Sequence, residues 1–224
     1  AILSRLDDQL KLLTGGARDL PSRHQALRNT LEWSYSLLND DEKKLYARLS
    51  VFVGGFTLEA AEAVCNAEDK LDILEGLTAL VDNSLLRLEE INGEPRFGML
   101  ETIRAYAVER LAESGETPDL QAWHAQDFGN IILNQAGVEI YSPKALYWLT
   151  WFERELDNIR AMLNWSLITP QGIQLGIGSI MMLFWFMYRR GYFIEGLQWS
   201  EKFLALADVQ NIPPMRAIAL ATSG

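Results

Sequence analysis

The sequence has one cysteine, Cys65, and two histidines, His24 and His124, among 224 residues. A single thiol cannot close an intramolecular disulfide, and no Cys/His spacing supplies the three or four convergent ligands of a metal site. The chain opens without a charged-then-apolar signal segment, which predicts a reducing, cytoplasmic setting. It also lacks G-x-x-x-x-G-K-[ST]; Gly15-Gly16 followed by Ala17-Arg18 cannot replace a phosphate loop, so the chain is not expected to hydrolyse ATP. With the histidines far apart and Cys65 on an apolar helix pattern, no enzyme class emerges. Beginning at Ala1 and stopping at Gly224 within a helical pattern, the chain reads as a fragment of a longer protein.

Cations are also scarce. Lys and Arg number 20 against 30 Asp and Glu, a formal charge of -10. Residues 1–116 hold 13 basic and 21 acidic side chains. Phosphate backbones are bound by cations that release counterions, so this balance predicts that the chain binds no nucleic acid. Long hydrophobic runs are missing too. The segment most open to a membrane reading, Leu175–Tyr188, is uncharged and has 14 residues, whereas a spanning helix needs about 20. Gly176, Gly178 and Ser179 would admit a neighbouring helix, so the stretch reads as a buried helix and no membrane is expected.

What is present is helical periodicity in a chain that is 49% hydrophobic and 22% charged, a globular composition. Leu27, Leu31, Tyr35 and Leu38 form one apolar stripe. Asn39-Asp40-Asp41-Glu42 ends that helix and starts the next, which carries Leu45, Leu49 and Phe52 to Gly54-Gly55. Thr57 caps a third helix with Ala60, Ala61 and Val64 inward. A fourth runs from Asp69 to Asn83, with Leu71, Leu74, Leu77, Leu80 and Val81 inward. Then the period changes. Leu86 and Leu88 alternate with Arg87 and Glu89, Asn92-Gly93 is a hairpin signal, and Arg96–Leu100 returns as a second strand. A helix from Glu101 to Glu113, stopped by Ser114-Gly115, completes a winged-helix pattern. After a boundary at Glu116-Thr117-Pro118 come helices at Ala122–Ala136, Pro143–Leu167, Gln171–Arg190 and Phe193–Ala207, with another start after Pro213-Pro214. Paired helices with short turns suggest an α-solenoid. The fold class is therefore mainly α: a winged-helix domain with one small β-hairpin, then a tetratricopeptide-like array.

Several separated motifs carry a resemblance. Leu20-Pro21-Ser22-Arg23-His24-Gln25-Ala26-Leu27-Arg28, Trp33-Ser34-Tyr35, Leu49-Ser50-Val51-Phe52-Val53-Gly54-Gly55-Phe56 and Met99-Leu100-Glu101-Thr102-Ile103-Arg104-Ala105-Tyr106-Ala107 are similar to the winged-helix region of STAND-class, NB-ARC-related bacterial regulators. Glu155-Leu156-Asp157-Asn158-Ile159-Arg160-Ala161, Arg190-Gly191 and Glu195-Gly196-Leu197-Gln198-Trp199 resemble the start of their helical repeats. The resemblance implies that residues 1–20 are the tail of an absent ATPase domain's helical lid, 21–116 the winged helix and 117–224 incomplete repeats. It implies an interdomain switch and scaffold in transcription regulation, with ATP or ADP held in the parent protein. The partners it implies are that ATPase domain and a protein or small-molecule inducer, with oligomerisation on activation.

Within that frame Arg23 and His24 are nucleotide-contact candidates, beside the plainer reading of a solvated turn and cap. Met99, Leu100, Glu101 and Arg104 are switch candidates. Relatives often carry Met-His-Asp where this chain has Met99-Leu100-Glu101, and Leu100 has no donor for a phosphate. The structural reading makes Met99 and Leu100 the core end of a strand and Glu101 the cap of the closing helix. Most of the aromatic residues of the second half should fill the core, and Trp151, Trp185, Tyr188, Tyr192 and Trp199 are the partner-binding candidates. Glu153, Arg154, Asp157 and Arg160 read as a solvated helix face. Two other functions are compatible with the sequence: a DNA-binding winged-helix transcription factor, and a free-standing helical-repeat adaptor. Against the first stands the expected recognition helix, with Asp69, Asp72, Glu75 and Asp82 against Lys70, and a wing with Glu89, Glu90 and Glu94 against Arg87 and Arg96.

Overall fold

The computed structural model describes residues 22–66, 71–91 and 93–206, the side chains of 22–25 and 27 excepted. The expected lid tail, Asp69, Lys70 and the helix start after Pro213-Pro214 lie outside the described residues. The chain divides into two compact units, one holding the described residues up to Ser50 with Thr57–Glu116, the other Val51–Phe56 with the residues from Thr117 onward.

In the first unit, helix α1 (Ser22–Ser36) is followed by α2 (Asp40–Arg48). Asn39 accepts from the Glu42 amide while the Glu42 carboxylate accepts from the Asn39 amide, a reciprocal capping box. A 3-10 turn, Leu49–Val51, tightens the end of α2, so Leu49 lies beyond the α-helix expected to carry it. Helix α3 (Leu58–Cys65) starts at Thr57, whose hydroxyl accepts from the Ala60 amide, and buries Ala61 and Val64. Helix α4 (Ile73–Asp82) is shorter than its expected span because Asp72 caps it, accepting from the Glu75 amide. Its buried stripe is Ile73, Gly76, Leu77 and Leu80; Leu74, expected inward, is 58% exposed. Gly76 carries no side chain where α4 meets α2, and a Cβ there would stand 2.5 Å from Leu45 Cδ2. Ser84 takes a left-handed backbone, φ 58°, and turns the chain so that Leu85 and Leu86 are buried before the hairpin.

Strands β1 (Arg87–Ile91) and β2 (Glu94–Gly98) pair antiparallel, from Arg87 opposite Gly98 to Ile91 opposite Glu94. Gly93, at φ 83°, supplies the left-handed turn that Asn92-Gly93 predicts. Helix α5 (Glu101–Ser114) closes the unit and ends on left-handed Gly115. The core centres on Leu45, Tyr46, Leu77, Leu80, Ala107 and Leu111. Tyr46 sits between Tyr35 and Tyr106, with ring centroids at 5.6 and 6.5 Å, and donates its hydroxyl to the Ile103 carbonyl at 2.9 Å.

The second unit contains α6 (Thr117–Asn130), a π-helical turn at Ile131–Ala136, the single turn α7 (Gly137–Glu139), α8 (Ala145–Arg154), α9 (Leu156–Ile168), α10 (Gly172–Arg190) and α11 (Phe193–Leu204). The helix expected over Pro143–Leu167 is two helices, because Glu155 leaves helical geometry at φ -94°, ψ 8°. Pairs α6–α9, α9–α10 and α10–α11 pack against one another over Phe128, Phe152, Phe186 and Phe203. The Phe203 ring fills the space beside Gly176, and Ser179 is buried, as the small residues of this run predict. Among the described residues no helix is long and apolar enough to cross a membrane.

Candidate functional site

The outward surface of the first unit is set by what its core consumes. With Ile73, Gly76, Leu77 and Leu80 inward, α4 presents Leu74, Glu75, Thr78 and Asp82 to solvent. Beyond Ser84 the hairpin exposes Arg87, Leu88, Glu89, Glu90 and Glu94. Arg96, counted as a wing cation in the sequence, is instead buried. A solvent-facing helix followed by a β-hairpin is the arrangement with which HTH proteins place a helix in the major groove beside a contacting wing. Thr78, whose hydroxyl donates to the Leu74 carbonyl at 2.8 Å, is a solvent-facing polar residue of α4 that sequence reasoning did not single out; the 73/76/77/80 stripe is the signal that would have turned it outward.

Among the described residues, several other cations of this unit are engaged. Arg28 forks onto Glu109 at 3.3 and 2.8 Å and reaches Glu32 at 3.2 Å; these carboxylates raise its pKa. Arg48, 3% exposed, forks onto Glu116 at 2.9 and 2.7 Å and donates to the Cys65 carbonyl at 2.8 Å. Cys65 is itself buried, which pushes its thiol pKa up and leaves no nucleophile at neutral pH. Arg104 forks onto Glu101 at 3.1 and 2.8 Å and donates to the Ser50 carbonyl at 3.3 Å.

The switch candidates depart from their expected places. Strand β2 stops at Gly98, so Met99 is half-buried beyond it and Leu100, 41% exposed, is the N-cap residue of α5 without a side-chain cap bond. Glu101 stands in the first turn and binds Arg104 instead of capping. Leu100 offers no donor, and Arg104 is paired with Glu101. Arg23 and His24 lie within α1, not in a turn before it; their side chains are outside the described residues.

In the second unit Trp151 and Trp199 are buried and do not form a docking face. Trp151 packs against Trp148 and Phe152 at 5.6 and 5.5 Å, and Trp199 donates to Glu195 at 3.3 Å beneath the Lys202 ammonium. Trp185 and Tyr192 are half-buried, Trp185 under the Arg189 guanidinium, and Tyr188 is 68% exposed. A cavity of about 660 Å³ opens beside the π-turn, lined by Asn134, Gln135, Glu139, Lys144, Tyr147 and Trp148 among others. Lys144 and the Trp148 indole both donate to Glu139, at 2.6 and 3.0 Å. The helix face expected to be solvated is cross-linked: Arg160 forks onto Glu195 at 2.7 Å on both arms and reaches Asp157 at 2.8 Å. Among the described residues no cluster of three His, Cys, Asp or Glu residues could hold a metal.

Three α-helices, a hairpin and a closing helix define a winged helix-turn-helix, and residues 38–112 match the family of that description. Over 206 residues the chain is 36% identical to proteins of Mycobacterium bovis and Mycobacterium tuberculosis named as HTH-type transcriptional regulators, covering 91% of this chain and 23% of theirs. An uncharacterized protein of Mycobacterium tuberculosis is 39% identical over 118 residues, 51% of this chain and 30% of its own length. The chain thus spans about a quarter of the regulators it matches. No solved structure matches it.

These matches correct the expectation that the chain binds no nucleic acid: a winged helix-turn-helix and homology to HTH-type regulators point to DNA binding. The charge count failed because it measures only the long-range, sequence-independent attraction of cations for phosphate. Base-edge contacts are made by a few neutral or singly charged side chains on a positioned helix, which net charge does not report.

Proposed function

We propose that this chain is the DNA-contacting and regulatory part of a transcription regulator, with α4 and the β1–β2 wing meeting duplex DNA. The observation that carries the reading is the winged helix-turn-helix of residues 38–112 with α4 turned to solvent through Thr78. Anionic neighbours make non-specific affinity weak, so discrimination depends on base contacts and on partners that supply cations. The chain is read as non-catalytic. The helical unit serves as a scaffold of tetratricopeptide-like pairs that receives a protein or small molecule. Selection of bound duplexes from a random library at low salt, followed by a salt titration of the winner, tests this. A selected sequence should be retained with a shallow salt slope, equivalent to about three phosphate contacts or fewer, and Arg87→Ala should reduce it further. Retention of no duplex at any salt rejects the proposal.

A second reading is supported by the acidic outward side of α4 and the wing, Glu75, Asp82, Glu89 and Glu90, which suits a basic protein surface. Here the winged-helix unit also works as an interdomain switch of a STAND-type ATPase whose nucleotide is bound elsewhere in a longer protein. Nucleotide retention by a longer form carrying Arg23→Ala tests it: unchanged retention removes Arg23 from the switch.

A further inference from the structure

The winged helix-turn-helix sequence contributes one segment to the helical unit, Val51–Phe56. Within that unit the segment is held by a fully buried side chain, Asn158 of α9. The Val53 amide donates to Asn158 Oδ1 at 2.7 Å, and the Asn158 Nδ2 donates to the Gly55 carbonyl at 2.9 Å and to Glu155 Oε2 at 2.8 Å. His124 Nε2 lies 3.3 Å from the same Oδ1. Every donor and acceptor of the carboxamide is used, and its two ends satisfy backbone groups of opposite kind two residues apart. A carboxylate lacks the donor and an aliphatic side chain lacks both. Around it Phe52 stacks on Phe56 at 4.7 Å and meets His124 edge-on at 5.4 Å. Gly54 and Gly55, at φ 80° and 98°, supply the turn.

The segment ends one residue before Thr57, whose hydroxyl and carbonyl accept from the Ala60 and Ala61 amides at the start of α3. Phe56 is covalently continuous with Thr57, the cap of α3. We propose that Asn158 is a positioning residue that locks residues 51–56 and thereby sets the N-terminus of α3, making the packing of α9 felt by the winged helix-turn-helix. The consequence for DNA rests on the function proposed above; the lock itself does not.

Hydrogen exchange on the chain, with Asn158→Leu and the exposed-site control Asn164→Leu, tests both links. Asn158→Leu should exchange about tenfold faster at the Val53 amide and measurably faster at Ala60, with a smaller change at amides of α10 and α11 than at Val53, while Asn164→Leu changes neither Val53 nor Ala60. Unchanged exchange at Val53 overturns the lock, and faster Val53 with unchanged Ala60 overturns the transmission. Should Asn158→Leu fail to fold, the unsubstituted chain decides: a Val53 amide exchanging as fast as an unstructured one overturns the proposal, and protection supports it. Weaker retention of the selected duplex by Asn158→Leu supports extension to DNA. Absence of any duplex binding by the unsubstituted chain rejects the DNA reading and leaves the exchange result standing on its own.

Discussion

The two units bury polarity in opposite ways. The winged-helix unit buries a charge, Arg48, and answers it with a forked carboxylate, Glu116, and the Cys65 carbonyl. The helical unit buries a hydrogen-bonded network around the uncharged Asn158 and His124 side chains, into which one carboxylate, Glu155, is drawn. A buried ion pair is sensitive to the loss of either partner, whereas a network holding an uncharged histidine is sensitive to protonation. The difference predicts which perturbation each unit resists.

The largest effect should come from Glu116→Ala, which removes the forked carboxylate from the buried Arg48 guanidinium. Loss of about 3–5 kcal/mol in urea unfolding is expected, and a loss below about 1 kcal/mol would show that water reaches Arg48. Next comes acid. Burial pushes the His124 pKa down to about 4, against partial support from Asn158 and Glu155. Its folded pKa lies below the unfolded value, so the unfolded chain binds more protons between them, and stability is lost as pH falls from about 6.5 towards 4, by on the order of 3 kcal/mol at the limit. Asp127 works the other way: burial raises its pKa to about 6, so folding favours its protonated form and acid strengthens it through part of the same window. The sharp measurement is therefore the difference between the unsubstituted chain and His124→Gln across pH 7 to 4. The unsubstituted chain should weaken relative to the variant, and parallel curves would remove His124 from the account.

Gly76→Ala comes third. Its methyl group would press on Leu45 where α2 and α4 meet, and overpacking should cost about 1–3 kcal/mol in thermal or urea unfolding; a gain in stability would mean that Leu45 simply rotates away. The smallest effect is at a cap. Asn39→Ala removes the acceptor for the Glu42 amide and half of the capping box, with an expected loss of about 1 kcal/mol. The same size of loss on Thr57→Ala would show that α2 and α3 are begun by equivalent devices.

Much of the first unit was legible because its signals are local. Thr57 before an apolar helix, Asn92-Gly93 between alternating segments and Gly115 after α5 each act within a few residues, and all three fall where turn and cap chemistry puts them, although Asn92 itself lies outside the described residues. Leu74 was misplaced because two stripes of similar hydrophobicity run along α4, and only the approach of Leu45 to Gly76 chooses between them. The break at Glu155 carries neither glycine nor proline, so nothing local announces it. The Glu155 carboxylate accepts from Asn158 three residues on, and what is distant is the hold on Asn158 itself, whose partners Val53 and Gly55 lie more than 100 residues away. Arg160 looked solvated for the same reason: its main partner, Glu195, is 35 residues away. The candidate DNA surface was legible as a helix and a wing, but its function was misjudged from charge, because net charge reports only the long-range attraction for phosphate and not the few side chains that a positioned helix offers to base edges.

By itself the sequence determined the helical periods, the β1–β2 hairpin, the helix starts at Asn39 and Thr57 and the net charge of -10, because each is set by residue identity and by neighbours within about one turn of chain. Only the tertiary structure decided which face of α4 meets solvent, that Arg48 needs Glu116, and that an asparagine in α9 holds the loop before α3. Those outcomes depend on desolvation, and a side chain loses its water only when distant parts of the chain close around it.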